Sequence, residues 1–108
     1  MATVYGILGQ SAPAATTLTD PYTVPASKHA TVKVIVGNRA AVADTFRIAV
    51  SPDGAAIANA HYLAYDEAIE ASDSMSSTAF TVGSTDVVRV YSTNGSLSFS
   101  VTGIEEDD

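Results

Sequence analysis

Nucleophilic catalysis draws on histidine, serine and aspartate. This 108-residue chain carries two histidines, His29 and His61, many serines and eight aspartates. A Ser/His/Asp arrangement works only where the serine is activated by its surroundings, as on the strained turn of a G-x-S-x-G motif. No such motif is present. No residues can be assigned as nucleophile, base and stabiliser, so no catalytic site is expected and the chain reads as a non-enzyme.

A second chemistry is cation binding. Asp66, Glu67, Glu70 and Asp73 crowd one stretch, and oxygen-rich loops bind Ca²⁺. Their spacing fits no EF-hand, and the stretch lacks the glycine that such a turn requires. The expectation is a solvated acidic loop, with Ca²⁺ binding at residues 66–73 as the alternative. There is no cysteine, so disulfides and thiolate metal sites are absent. No metal and no cofactor is expected.

A third chemistry is stacking on sugars. The chain has no tryptophan and five tyrosines. Tyr62 and Tyr65 are three apart, which in a regular strand puts them on opposite faces. Tyr5, Tyr22 and Tyr91 are scattered. The tyrosines therefore read as packing residues rather than a sugar platform.

The formal charge is −7, and the five basic residues, Lys28, Lys33, Arg39, Arg47 and Arg89, are dispersed. Phosphate backbones require clustered Lys and Arg, so no nucleic-acid partner is expected. Residues 105–108 are all acidic and read as a solvated, frayed tail. No run of 18 apolar residues exists, so no membrane-spanning helix and no membrane partner is expected. The start, from Met1 to Tyr5, lacks the basic and long apolar regions of a secretory leader, so the protein is expected to be cytoplasmic or assembled there.

The elements that would position any site read as strands. The clearest is residues 96–104, where serine or threonine alternates with Leu97, Phe99 and Val101. Successive strand side chains point to opposite faces, so this is a half-buried antiparallel strand. Similar runs occur at residues 3–8, 22–24, 30–36, 43–50, 61–65, 78–82 and 86–91, with a short one near Ala68 and Ile69. Twelve valines favour a pleated sheet. About eight strands at near-regular spacing predict one all-β domain over residues 1–108, an antiparallel β-sandwich of jelly-roll or immunoglobulin type. Asn94-Gly95 between two alternating runs predicts a hairpin pairing residues 87–93 with 96–103. Residues 10–17 (QSAPAATT) read as a linker or extended arm.

Three strands are apolar on both faces: residues 3–8, 31–36 and 86–91. A sandwich strand should be polar on its solvent side. The second faces are therefore expected at an interface, through Val4, Tyr5, Ile7, Leu8, Ile35 and Val88. The alternative is that loops fold over them.

Several segments occur in a consistent order across residues 6–99. They are Gly6 to Pro13 (GILGQSAP), Tyr22 to Pro25 (YTVP), Ala30-Thr31-Val32, and Val36-Gly37-Asn38-Arg39. After these come Thr45 to Val50 (TFRIAV), Tyr62 to Asp66 (YLAYD), and Asp86 to Tyr91 (DVVRVY) ahead of Leu97-Ser98-Phe99. Through them the chain resembles small virion structural proteins of tailed bacteriophages. The resemblance implies a β-sandwich built into the particle, made in the host cytoplasm. Such domains serve as capsid decoration or cement subunits, often trimeric, that bind themselves and the major capsid protein or another virion protein. Others are tail or baseplate adaptors or fibre components. A host-surface or glycan-binding module is the reading from a different class.

Overall fold

The computed structural model describes residues 3–108. Met1 and Ala2, where the leader reading begins, lie outside the described residues. Nine strands form: β1 (Thr3–Ser11), β2 (Thr19–Thr23), β3 (Lys28–Asn38), β4 (Asp44–Ser51), β5 (Tyr62–Ile69), β6 (Ser74–Ser76), β7 (Phe80–Val82), β8 (Val87–Ser92) and β9 (Leu97–Asp107). Single 3₁₀ turns, Pro52–Gly54 and Asn59–His61, lie between β4 and β5.

The strands make two antiparallel sheets. One runs β1-β9-β3, with β6 and β7 both paired to the far side of β3. The other runs β2-β8-β4-β5. β6 and β7 are two halves of one edge. Ser77 between them keeps the ladder: its N–H donates to Val34 O, and its hydroxyl accepts from Val34 N–H, each at 2.9 Å. Counting that edge once, the orders are those of a jelly roll, in which the chain crosses between the sheets at almost every connection.

Alternation is kept in the central strands. On β3, Ala30, Val32, Val34, Val36 and Asn38 are buried while Thr31, Lys33 and Ile35 are exposed. Leu97, Phe99 and Val101 of β9 face Phe46, Ile48, Val88 and Val90 of the other sheet. Phe46 and Phe99 meet edge-to-face with ring centroids 6.4 Å apart. Each of these larger side chains contributes about 1.5–3 kcal/mol by leaving water.

Val88 is fully buried here, so it is a core residue and not the interface residue expected from sequence. On the opposite face of β8, Val87 is also buried, at the edge of the Pro52–Gly54 turn. A Cβ added to Gly54 would stand 3.6 Å from Val87 Cγ2. A loop thus does for this strand what a neighbouring subunit was expected to do.

The structure corrects four further expectations. Asn94-Gly95 joins no hairpin: β8 pairs with β2 and β4, while β9 pairs with β1 and β3 in the other sheet. The turn is an arch between layers. Residues 105–107 are not a frayed tail but the end of β9, in register with Lys28, His29 and Ala30 on one side and with Thr3 and Val4 on the other. Lys28 pairs with Asp107, His29 Nδ1 lies 2.8 Å from Asp108, and Tyr22 donates its hydroxyl to Glu105 at 2.7 Å. The ladder, Lys28 and the Tyr22 hydroxyl thus tie down residues that read as a free tail. Finally, Asp66 and Glu67 belong to β5 rather than to a loop, and Gln10 and Ser11 complete β1, leaving residues 12–18 as the crossover.

Candidate functional site

Strand register places three side chains of the expected interface on one surface, the outer face of the five-stranded sheet. Tyr5 pairs with Ile104, which pairs with Thr31. In the next row Ile7 pairs with Thr102, which pairs with Lys33, and beyond it Gln10, Ser100 and Ile35 align. Directly paired residues share a face, so Tyr5, Ile7 and Ile104 are contiguous, while Ile35 lies on the same face across β9, beyond the Thr102 row. Their exposures are 77%, 56%, 45% and 37%. Threonine and serine surround them. The other expected residues lie elsewhere: Val4 is exposed on the opposite side of β1, Leu8 packs against the core, and Val88 is in it. Ile104 was missed, although it shares the even-numbered parity of Ser98, Ser100 and Thr102 and so had to leave the core with them.

The outer face of the four-stranded sheet carries a second cluster. Tyr91 on β8 pairs with Arg47 on β4. Opposite Arg47, β5 presents two residues, Tyr65 and Asp66, because Phe46 pairs with Glu67 and Ile48 with Ala64. That is a β-bulge, with Asp66 in the left-handed region at φ 52°. A second irregularity at Leu63 lets Ala49 pair with Tyr62. The extra residue changes the parity, so Tyr62 and Tyr65 come together instead of facing apart. Their rings meet at 4.8 Å in a T shape. The Arg47 guanidinium lies between two rings, 4.1 Å from Tyr65 and 4.3 Å from Tyr91, and donates Nε–H to Asp66 at 2.7 Å. Hydrogen bonding to Asp66 raises the Arg47 pKa above its ordinary value, against an opposing effect of burial. One step along β8, Arg89 Nε lies 3.3 Å from Asp20.

A third feature is a groove of about 410 Å³ between β5 and β6–β7, lined by Phe46, Ile48, Leu63, Met75, Phe80 and Glu67. The strand edges beside it are blunted. β5 is bulged twice, and β6 and β7 have three residues each. At the opposite edges β1 is bulged near Leu8 and β2 contains Pro21. Such devices discourage strand addition.

Of the residues considered for catalysis and cation binding, His61, Asp66 and Asp73 are otherwise engaged. His61 Nδ1 accepts the Ala58 N–H at 3.1 Å and lies 3.4 Å from the hydroxyl of Ser51, which is fully buried. Asp66 holds Arg47, and Asp73 accepts its neighbour's Ser74 N–H. Among the described residues no three His, Asp or Glu side chains converge as a metal site, and no helix is long and apolar enough to cross a membrane.

No family model matches the chain, and no curated protein sequence matches it. Among solved structures it is similar to a pentameric capsid protein isolated from metagenomic phage sequences. The identity is 18% and the TM-score 0.45. The similarity covers 94% of this chain, which spans only 61% of that protein's length.

Proposed function

We propose that this protein is a non-enzymatic structural subunit of a phage particle, a capsid decoration or cement protein that self-associates through the outer face of its five-stranded sheet. The observation that carries the proposal is the contiguous exposure of Tyr5, Ile7 and Ile104, with Ile35 on the same face one row beyond, across β9. Support for the particle comes from the ordered sequence resemblance to small virion proteins. The jelly roll agrees with it by analogy, being shared with viral capsid domains, though fold alone does not assign function.

The contact is between faces rather than edges, because the edges are bulged, short or interrupted by proline. Covering each of the four side chains is worth at most about 1.5–3 kcal/mol. Association itself costs about 4–15 kcal/mol. One such patch therefore gives a weak pair, and stable attachment needs several contacts at once, as in a closed ring seated on a shell. A trimer is the stoichiometry that the sequence resemblance implies. Binding only the folded subunit, the shell and its cement stabilise each other by mass action.

The test is imaging of particles that carry a tagged copy. Density on the capsid surface supports the proposal. Density confined to the tail, or a tagged protein absent from purified particles, overturns it. Light scattering of the isolated chain and of Ile7→Asp tests the self-contact separately.

A further inference from the structure

We propose that the outer face of the four-stranded sheet binds a neutral saccharide, on Tyr62, Tyr65 and Tyr91 arranged around Arg47 and Asp66. The face lies on the opposite side of the sandwich from Tyr5 and Ile7, so the inference does not rest on the proposed assembly role.

A sugar ring presents apolar C–H faces and vicinal hydroxyls that both donate and accept. The cluster offers the complement to each. Tyr65 remains 57% exposed even with Arg47 and Tyr62 against it, and aromatic rings offer apolar surface beside a polar hydroxyl. The Arg47–Asp66 pair offers planar donors next to carboxylate oxygens, and the Asp66 side chain is 46% exposed.

The array is set before any ligand arrives. Arg47 is stacked between two rings and hydrogen-bonded to Asp66 through both Nε at 2.7 Å and Nη2 at 3.4 Å. A side chain already held in place loses little freedom on binding. It stands on three adjacent strands rather than on a loop, which fixes the spacing of the rings.

Charge selects the class of sugar. Arg47 is matched by Asp66 and Arg89 by Asp20, so the face carries no surplus of positive charge, and the whole chain carries −7. Phosphates and acidic polysaccharides are repelled rather than drawn in. A protein partner is also disfavoured. It would have to strip water from the Arg47–Asp66 pair beside the exposed tyrosine and, across a wider contact, from Arg89–Asp20 on β8 and β2, and desolvated pairs return little of that penalty. A small hydroxylated ligand replaces the water instead.

The test uses the full chain, ¹⁵N-labelled. It is titrated to about 10 mM, which reaches dissociation constants near 1 mM, with the neutral hexasaccharides of maltose, cellulose, mannan, xylan and chitin type, and with polygalacturonate as the acidic control. The expected result is saturable shifts at the Arg47 Nε–H and at the Tyr65 and Tyr91 rings with at least one neutral hexasaccharide. Tyr65→Ala then weakens binding at least tenfold with an unchanged melting temperature, while Tyr5→Ala binds as wild type. Absence of shifts with all five overturns the proposal, as do shifts centred away from Arg47 and a preference for polygalacturonate. So does a Tyr65→Ala variant whose only effect is a lower assembled mass, which makes the face a protein contact.

Discussion

The Asp44 carboxylate on β4 and the Ser92 hydroxyl at the end of β8 lie 2.7 Å apart, both buried, at the point where the chain leaves one sheet for the other. The same carboxylate accepts the N–H groups of Thr45 and Asn94 at 2.7 and 3.0 Å and the Ser96 hydroxyl at 3.1 Å. Ser92 in turn accepts the Gly95 N–H at 2.9 Å. One carboxylate thus organises the arch of residues 92–96.

Burial alone would raise the Asp44 pKa, but its hydrogen bonds outweigh burial and hold it below the ordinary carboxylate value. A carboxyl with a lowered folded pKa contributes stability above its unfolded value, about 3.9, and loses it as pH falls through the folded value. Asp44→Asn is expected to lower unfolding stability at pH 7 by about 1–3 kcal/mol. The gap to wild type should narrow below pH about 4. Urea unfolding from pH 7 to pH 2 checks this. A gap that stays constant over that range would mean the charge is not what holds the arch.

Gly95 within that arch has φ +78°, and a Cβ there would stand 2.8 Å from the Ala15 backbone nitrogen. Gly95→Val therefore meets both backbone strain and the 12–18 crossover, and is expected to cost about 1–3 kcal/mol or more. Gly95→Ala should already lose part of this. A wild-type urea midpoint for Gly95→Val would contradict the arch geometry.

Deleting residues 105–108 is expected to destabilise the fold. The deletion removes the ladder opposite Lys28 to Ala30 and the acceptor of the buried Tyr22 hydroxyl, whose pKa is raised by burial, the Glu105 hydrogen bond and the Glu105 charge. A loss of roughly 5–15 °C in melting temperature follows from a few such hydrogen bonds in a domain of this size. Melting within a degree of wild type would return these residues to the status of a free tail.

The layered all-β fold was legible because β3 and β9 keep a strict period of two, and that period reports which face is buried. What was illegible depended on partners far away in sequence. Asn94-Gly95 has the chemistry of a tight turn, but here it is held as an arch by hydrogen bonds to Asp44, fifty residues upstream. Tyr62 and Tyr65 were assigned to opposite faces because nothing in β5 announces an extra residue at Leu63; the bulge exists only relative to β4. Residues 105–108 looked like a free tail because the strand and side chains that hold them sit near residues 22–30. Val88 was indistinguishable from Ile35 by pattern, since both belong to strands apolar on two faces and nothing local says which face turns inward; the sandwich interior takes Val88 and leaves Ile35 outside.

Sedimentation across a concentration series tests the central claim most directly, comparing the wild-type chain with Ile7→Asp. The account predicts a mass rising with concentration above that of the 11.1 kDa chain, toward three copies. It also predicts an Ile7→Asp variant that stays monomeric with a melting temperature close to that of the dissociated wild type. A wild-type chain that remains monomeric at every concentration would contradict self-association through this face. An Ile7→Asp variant that unfolds as a monomer would contradict the placement of Ile7 outside the core.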